Sequence, residues 1–172
     1  MLKTVFVKGD ENLKLLNEVK AFRLKIWSEL IGIEKAKLRF GVEIDAEDLR
    51  AWHCVKYDNQ KIIASQAFNV TNNQEELVDF CSYERYVKIM RFPLAITNRL
   101  VIDSNNKQMG LREEFYNLCL KKAKKLRLLE LWGESRQERT QFHSRNNYKD
   151  MGPSSDKSID GDWRILVKKL DE

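Results

Sequence analysis

The most constraining feature of the 172-residue sequence is the order of its patterns between residues 95 and 148. A β-rich run at 95–102 is followed by the polar loop DSNNKQMG, which ends in Gly110. An amphipathic helix begins at Leu111. A strand that leads into a helix N-terminus presents backbone N–H groups, which together with the helix dipole can bind phosphate. Gly110 would let the backbone approach such a ligand, although an ordinary turn would show the same pattern.

The rest of the chain continues the α/β pattern on both sides of this unit. Apolar residues at three- and four-residue spacing predict a helix over 15–33, in which Gly32 is an end or an interruption. Further helices are predicted at 77–90 and 135–146, and 150–161 is predicted as a loop. Other strands are predicted at 4–7, 51–57, 62–70, 128–132 and 163–170, and a turn at 58–60 makes 51–57 and 62–70 antiparallel partners. No repeat or linker interrupts the pattern, so residues 1–172 are expected to form a single domain.

Composition limits the class of protein and of partner. At 42% hydrophobic and 33% charged residues the chain is typical of a globular protein, and its apolar runs are too short to span a membrane. The net charge of +5 suggests an anionic partner: nucleic acid, a phosphorylated cofactor or an acidic carrier protein. Three cysteines without a CxxC motif and no signal-peptide pattern suggest a cytoplasmic protein with reduced thiols, and no metal site is expected.

Two motifs carry a resemblance to a known family. Residues 107–112, KQMGLR, are similar to the Arg/Gln-x-x-Gly-x-Gly/Ala pyrophosphate loop of the GNAT superfamily of N-acetyltransferases, with Arg112 in place of a small residue. Residues 142–148, FHSRNNY, resemble the family's Phe/Leu-Tyr-x-x-x-Gly-Phe. His143 stands where many members have tyrosine, and Asn147 replaces the glycine of a left-handed helix end. The helical asparagine that often contacts pantetheine in the family is missing here.

The resemblance covers nearly the whole chain and implies the GNAT fold, of the α/β (α+β) class. Its central sheet is mixed and mostly antiparallel, flanked by helices, and split near the fourth and fifth strands, here near 99–102 and 128–132. It also implies acetyl-CoA or another acyl-CoA as donor, with pantetheine against Leu100 and Val101. The implied pyrophosphate-binding residues are Lys107, Gln108, Met109, Gly110, Leu111 and Arg112.

A narrower likeness concerns the first half of the chain. Arg23 and Trp27, the spacing Glu43-x-Asp45-x-x-Asp48 and the strand start NRLV at 98–101 are similar to the autoinducer-synthase-like branch. That branch includes acyl-homoserine-lactone synthases and long-chain N-acyl amino acid synthases. Its members take acyl groups from acyl carrier protein or CoA, so the likeness adds acyl carrier protein as a possible donor and partner.

Candidate catalytic residues each have a plainer interpretation. By its place in the family motif, His143 would protonate the departing thiolate, or it is a packing residue near a helix end. Glu130 lies among apolar residues and could act as a base, or it could face solvent or pair with a lysine. His53 is expected to be a satisfied structural histidine.

Each candidate substrate-binding residue also has both a functional and a structural interpretation. Arg99 could bind an acceptor carboxylate, or form a structural ion pair with Glu43 or Asp45. Phe80 and Tyr83 belong to an insertion at 71–93 that could cover an acyl or acceptor pocket, or simply pack.

These observations favour an N-acyltransferase acting on a small-molecule or peptide amine. The alternative is a non-catalytic GNAT-like domain that binds a nucleotide or a protein. A basic nucleic-acid-binding domain is the least favoured class, because the basic run at 121–127 lacks interleaved aromatic residues. The sequence leaves the acceptor amine and the acyl chain length open.

Overall fold

The computed structural model describes residues 1–41, 43–77, 80–107, 109–156 and 161–171, with the backbone alone for 38–40. These residues form a seven-stranded sheet in the order β1-β2-β3-β4-β5-β7-β6. The strands are β1 Leu2–Lys8, β2 Trp52–Asp58, β3 Lys61–Thr71, β4 Leu94–Ile102, β5 Glu130–Arg136, β6 Lys149–Pro153 and β7 Trp163–Lys169. Strands β4 and β5 run parallel, whereas β1–β2, β2–β3, β5–β7 and β6–β7 are antiparallel. The mixed, mostly antiparallel sheet is confirmed.

The described part of the chain also contains α-helices and short 3₁₀ helices. The α-helices are α1 Leu13–Ile31, α2 Ile33–Phe40, α3 Ala46–Arg50, α4 Leu111–Lys125 and α5 Thr140–Arg145. Short 3₁₀ helices occur at Gly9–Glu11, Gln74–Leu77, Cys81–Ile89, Ser104–Asn106 and Gln137–Arg139. None of the described helices combines the length and the apolar character that spanning a bilayer requires.

The chain divides into two compact units. The first unit comprises Met1–Asn69 and Arg99–Leu118, and the second comprises Val70–Asn98 and Cys119–Glu172. The single domain expected from the sequence stays a prediction.

The first unit is built on the β2–β3 hairpin and the helices α1 and α4. Asn59 and Gln60 both have positive φ, 44° and 73°, which is the conformation of a two-residue turn whose twist suits a hairpin. Helix α1 starts at the cap Asn12, whose side chain accepts from Leu15 N at 3.0 Å. Helix α4 packs through buried Leu111 and Phe115 against a core that includes Cys54, Ile63 and Ala64. This packing fixes the start of α4 in the first unit.

The second unit has its own core around Trp132, which is 1% exposed. Tyr83 and Tyr86 pack against its indole with ring centroids 6.4 and 6.3 Å away. Further apolar residues complete the cluster: Leu77, Phe80, Met90, Leu94, Ile96, Ile165 and Val167. The 81–89 segment is therefore part of the core.

Three sequence predictions of secondary structure were wrong. The helix predicted over 77–90 is replaced by Gln74–Leu77 and Cys81–Ile89, which are 3₁₀; Val78 and Asp79 lie outside the described residues. Strand β5 runs on to Arg136, so the helix predicted from 135 begins at Thr140. Strand β6 occupies part of the predicted 150–161 loop; its polar sequence pairs with β7 alone, as an edge strand can.

Candidate functional site

The connection between β4 and α4 ends in a left-handed glycine at the start of a helix. Gly110 has a φ of 67°, and a β-carbon built on it would meet nothing within 4 Å. Its carbonyl accepts the first helical hydrogen bonds, from Glu113 N and Glu114 N, both at 3.1 Å. Among the described residues, the N–H groups of Gly110 and Leu111 donate to no acceptor. These two donors lie at the positive end of the 15-residue helix.

The other predicted loop residues divide by what they can offer. Lys107 and Met109 are exposed, but Met109 N already donates to Asn106 O at 3.2 Å. The Leu111 side chain is 1% exposed and belongs to the core, so only its backbone could contact a ligand. Arg112 is half-buried in the first turn of α4. Gln108 lies outside the described residues.

The parallel ladder between β4 and β5 is short. It runs from Leu94 opposite Glu130 to Thr97 opposite Gly133 and then ends, although both strands continue. At this end, Thr97 Oγ1 donates to Trp132 O at 3.2 Å. A β-carbon on Gly133 would come within 3.2 Å of the same hydroxyl. Residues 99–102 of β4 lie beyond this ladder, as predicted, whereas on β5 the unpaired part follows Gly133 and not 128–132.

Beyond the ladder, β4 carries the predicted pantetheine-binding residues. Val101 is 3% exposed, and Leu100 packs at the edge of the core that contains Phe115. Both side chains therefore serve packing. Any contact with pantetheine would come from their backbone groups.

Arg99 breaks the regular geometry of β4. Its φ is +52°, a left-handed value that side-chain-bearing residues adopt rarely within a strand. Its guanidinium contacts Asp45 and Glu47 at 2.8 Å each and Asp48 at 2.6 Å. Burial opposes the charge, yet the Glu47 and Asp48 carboxylates raise the pKa of Arg99 above its ordinary value. The structural ion pair expected with Asp45 is present, and an acceptor carboxylate would have to compete with three protein carboxylates.

A second arginine, Arg23, shares the Asp48 carboxylate with Arg99. Arg23 is fully buried; it donates to Asp48 Oδ1 at 2.9 Å and to Ser65 Oγ at 3.2 Å. Lys20 Nζ is 3.5 Å from Asp48 Oδ2. Although burial alone would raise the pKa of Asp48, Arg99, Arg23 and Lys20 hold it below its usual value. Lys20 and Glu47 complete this cluster, and the sequence patterns did not single them out.

His53 has the structural role predicted for it. It is 2% exposed, with Nδ1 3.2 Å from Arg23 Nη2 and Nε2 2.8 Å from Asp48 O. Arginine can only donate, so Nδ1 accepts and Nε2 carries the proton. Burial, reinforced by Arg23, lowers the pKa of His53 to about 4.

Glu130 is buried at the start of β5, with 3% of its surface exposed. Its Oε2 accepts from Trp132 Nε1 at 2.8 Å and from Arg91 N at 3.0 Å. These bonds tie β5 to the residues that precede β4. They are neither the solvent exposure nor the lysine pairing considered from the sequence, and a catalytic role for Glu130 stays a prediction.

His143 lies where helix α5 ends. Tyr148 N donates to His143 O at 3.0 Å and Asn147 N to Ser144 O at 3.1 Å, the paired bonds of a Schellman motif. Asn147 has a φ of 60°, so the left-handed helix end expected there is confirmed. The imidazole packs edge-on against the Tyr148 ring, 5.2 Å between centroids, which is the apolar contact that accompanies this motif. The structure thus gives His143 a packing role, and its catalytic role stays a prediction.

Phe80 and Tyr83 are buried, with 8% and 2% of their surfaces exposed, and their rings pack edge-on with centroids 6.4 Å apart. The 3₁₀ helix that carries Tyr83 is hydrogen-bonded to the end of β6 and to the chain that follows it. Tyr86 Oη donates to Pro153 O at 2.7 Å, and Ser155 N donates to Ser82 O at 3.0 Å. The packing interpretation accounts for both aromatic residues, and their role in substrate binding stays a prediction.

Two further features of the second unit were not predicted from the sequence. Glu134 follows the last β5 residue paired with β4, and its Oε2 accepts from Ser82 Oγ at 3.3 Å. A cavity of about 110 Å³ adjoins β6 and β7 and contains none of the predicted site residues. It is lined by Gln137, Pro153, Ser154, Asp156, Gly161, Asp162, Trp163 and Arg164. Periodicity alone could not find either feature, because both depend on distant segments meeting.

Comparison with known proteins gives matches to solved structures only. No family model and no curated protein sequence matches the chain. The structure is similar to Escherichia coli ElaA, with a TM-score of 0.72 and 10% identity over 98% of this chain and 100% of that one. It is also similar to a GNAT family acetyltransferase of Staphylococcus aureus Mu50, with a TM-score of 0.63 and 12% identity over 99% of each chain. The chain has the GNAT fold.

A third solved structure bears on the narrower likeness. FeeM, an N-acyl amino acid synthase from uncultured soil microbes, is similar with a TM-score of 0.64 and 6% identity over 100% of this chain and 92% of that one. At these identities the likeness concerns the fold.

Proposed function

We propose that this chain is an N-acyltransferase that moves an acetyl or longer acyl group from acyl-CoA to an amine of a small molecule or peptide. Acyl carrier protein is the alternative donor, and the cytoplasm is the proposed location. The GNAT fold supports the reaction class. The thiols of Cys54, Cys81 and Cys119, none of which forms a disulfide, are compatible with a reducing compartment.

The observation that carries the proposal is the left-handed Gly110 at the start of α4. A pyrophosphate needs a close approach to backbone donors, and a β-carbon is absent at the one position where the chain turns into the helix. Gly110 and Leu111 provide N–H groups, and Lys107 and Arg112 add positive charge nearby in the sequence. Exposed Glu113 opposes a phosphate electrostatically, so the backbone donors and the two cations must outweigh it.

The roles proposed for the chain's own residues follow from chemistry. When bound, acyl-CoA would supply the activated thioester carbonyl. Gly110 and Leu111 would hold its phosphates, and the backbone of Leu100 and Val101 would orient the pantetheine amides. A neutral amine is required for attack, so its proton must leave to a base or through water. His143 is the proposed proton donor for the thiolate, and Glu130 remains the proposed base.

The experiment compares two glycines with nearly the same positive φ. Gly41 has a φ of 66° against 67° for Gly110, and both have open space around the missing β-carbon. Gly110→Asp and Gly41→Asp therefore both add one negative charge at a glycine with positive φ. We expect Gly110→Asp to raise the Kd for CoA by at least roughly tenfold, because the carboxylate would lie beside the phosphates. Gly41→Asp should leave the Kd within roughly twofold, measured by titration calorimetry.

The outcome also separates the competing functions. If the wild type does not bind CoA, or both variants bind it equally, the loop assignment is wrong. One observation favours the non-catalytic alternative: Arg99, Glu130 and His143 all have structural partners. Release of CoA thiol from acyl-CoA in the presence of an amine, followed with DTNB, would exclude that alternative. CoA binding without thiol release over a panel of amines would support it.

A further inference from the structure

The left-handed residue inside β4 needs a physical explanation. Strand β4 spans Leu94–Ile102, and Arg99 within it has a φ of +52°. Left-handed backbone is unfavourable for a residue with a β-carbon, and in a strand it usually marks a bulge that bends the chain or ends its pairing. The ladder with β5 ends two residues earlier, at Thr97. Other contacts in the folded chain must therefore offset the unfavourable conformation.

The contacts that can do so are the ion pairs of the Arg99 side chain. All three partners come from a single short stretch, the cap and first turns of α3: Asp45 at 2.8 Å, Glu47 at 2.8 Å and Asp48 at 2.6 Å. Asp45 also caps α3 by accepting from Asp48 N at 2.7 Å, so the acceptors are held rigidly. Asp48 is fully buried between Arg99 and Arg23. A guanidinium fixed at several points restricts the backbone that carries it.

We propose that Arg99 is a positioning residue. Its ion pairs hold β4 in the left-handed bend, and the bend orients the backbone of Leu100 and Val101, which lie beyond the ladder with β5, for contact with the pantetheine amides. The second part of this inference rests on the proposed function. In this role Arg99 acts through the backbone of β4 and needs no contact with the donor or the acceptor.

The relative stability of glycine and alanine variants at position 99 distinguishes this proposal from a regular strand, because the two cases predict opposite orders. In a regular strand, glycine is less stable than alanine. At a left-handed position, glycine is the better residue, and the advantage is about a tenfold change in an equilibrium constant. After loss of the ion pairs, Arg99→Gly should still bend, whereas Arg99→Ala should relax toward an extended strand.

The test measures unfolding in urea and CoA affinity for Arg99→Gly and Arg99→Ala. We expect the glycine variant to have the roughly tenfold more favourable folding equilibrium and the roughly tenfold tighter CoA binding of the two. Arg127 is the matched control, because it is an exposed arginine with a φ of 55° at the end of α4. Arg127→Gly should fold better than Arg127→Ala by a similar factor, with no difference in CoA affinity.

Asp45→Asn keeps the proposal testable if both Arg99 variants fail to fold. Asparagine preserves the cap of α3 but removes one ion pair, so CoA affinity should fall by roughly two- to fivefold. Equal CoA affinity of the glycine and alanine variants, or alanine the better of the two, would overturn the positioning role. Unchanged affinity in Asp45→Asn would count against it in the same way. A wild type that binds no CoA would overturn the proposed function and the link to pantetheine, while the order of stabilities would still decide the conformational part.

Discussion

Neutral, buried His53 predicts that the protein loses stability between pH 7 and pH 5. The ring is 2% exposed, accepts from Arg23 at Nδ1 and donates to Asp48 O from Nε2. A second proton on Nδ1 would place a cation against the Arg23 guanidinium in a buried site. Burial and this neighbour lower the pKa of His53 from 6.5 to about 4.

The sign and size of the effect follow from proton uptake by the two states. Below pH 6.5 the unfolded chain binds a proton at His53 that the folded chain does not bind until the pH approaches 4. The free energy of unfolding is therefore fully retained above pH 6.5 and decreases as the pH falls from 6.5 to about 4. At pH 5 the loss amounts to about 2 kcal/mol. For a chain of this size that corresponds to a decrease in Tm of roughly 4–8 °C.

Urea unfolding of the wild type, His53→Gln and His143→Gln at the two pH values measures this effect. The chain has two histidines, so His143→Gln is the matched control. We expect the wild type and His143→Gln to lose about 2 kcal/mol and His53→Gln to lose little. Asp48, whose pKa is lowered from 3.8, contributes stability that is lost only as the pH falls below that value, outside the measured window. The same pH-dependent loss in His53→Gln as in the wild type would refute the reasoning.

Two further predictions concern turnover. His143→Phe keeps an aromatic ring against Tyr148 but cannot donate a proton, so kcat should fall about 10²-fold with little change in KM for the donor. His143→Tyr should recover part of the loss. Wild-type turnover of the phenylalanine variant in steady-state kinetics would remove His143 from the mechanism. The double variant Phe80→Leu/Tyr83→Phe should change the preference among acyl lengths or amines roughly tenfold while leaving CoA affinity unchanged. Equal effects on substrate preference and on CoA affinity, or no effect on either quantity, would assign these two residues to packing alone.

The sequence predicted best the elements that are regular and locally encoded. Helix α4 begins at Leu111 as predicted, because its apolar face has helical spacing and Gly110 precedes it. The β2–β3 hairpin and its turn at Asn59 and Gln60 follow from the polar break between two alternating runs. Strand β6 was missed, since its glycine and proline resemble a loop and only pairing with β7 makes it a strand.

The candidate site was predicted in part. The family motif pointed to the β4–α4 connection and to the left-handed end at Asn147, both of which the structure contains. The motif could not show that Met109 N is used within the loop or that Leu111 is a core side chain. On β5 it also placed the end of the pairing with β4 too early, because the ladder continues to Gly133.

By itself, the sequence determined the approximate positions of β1–β5 and β7, the start of α4 with the glycine before it and the resemblance to the GNAT fold, since these depend on periodicity and on residues a few positions apart. The tertiary structure alone decided what the charged residues do. Arg99 and Asp45 are 54 positions apart in the chain, and Arg23 and Asp48 are 25 apart. Only folding brings such partners within hydrogen-bond distance, and burial then makes pairing obligatory, because a charge removed from water without a partner would be too costly.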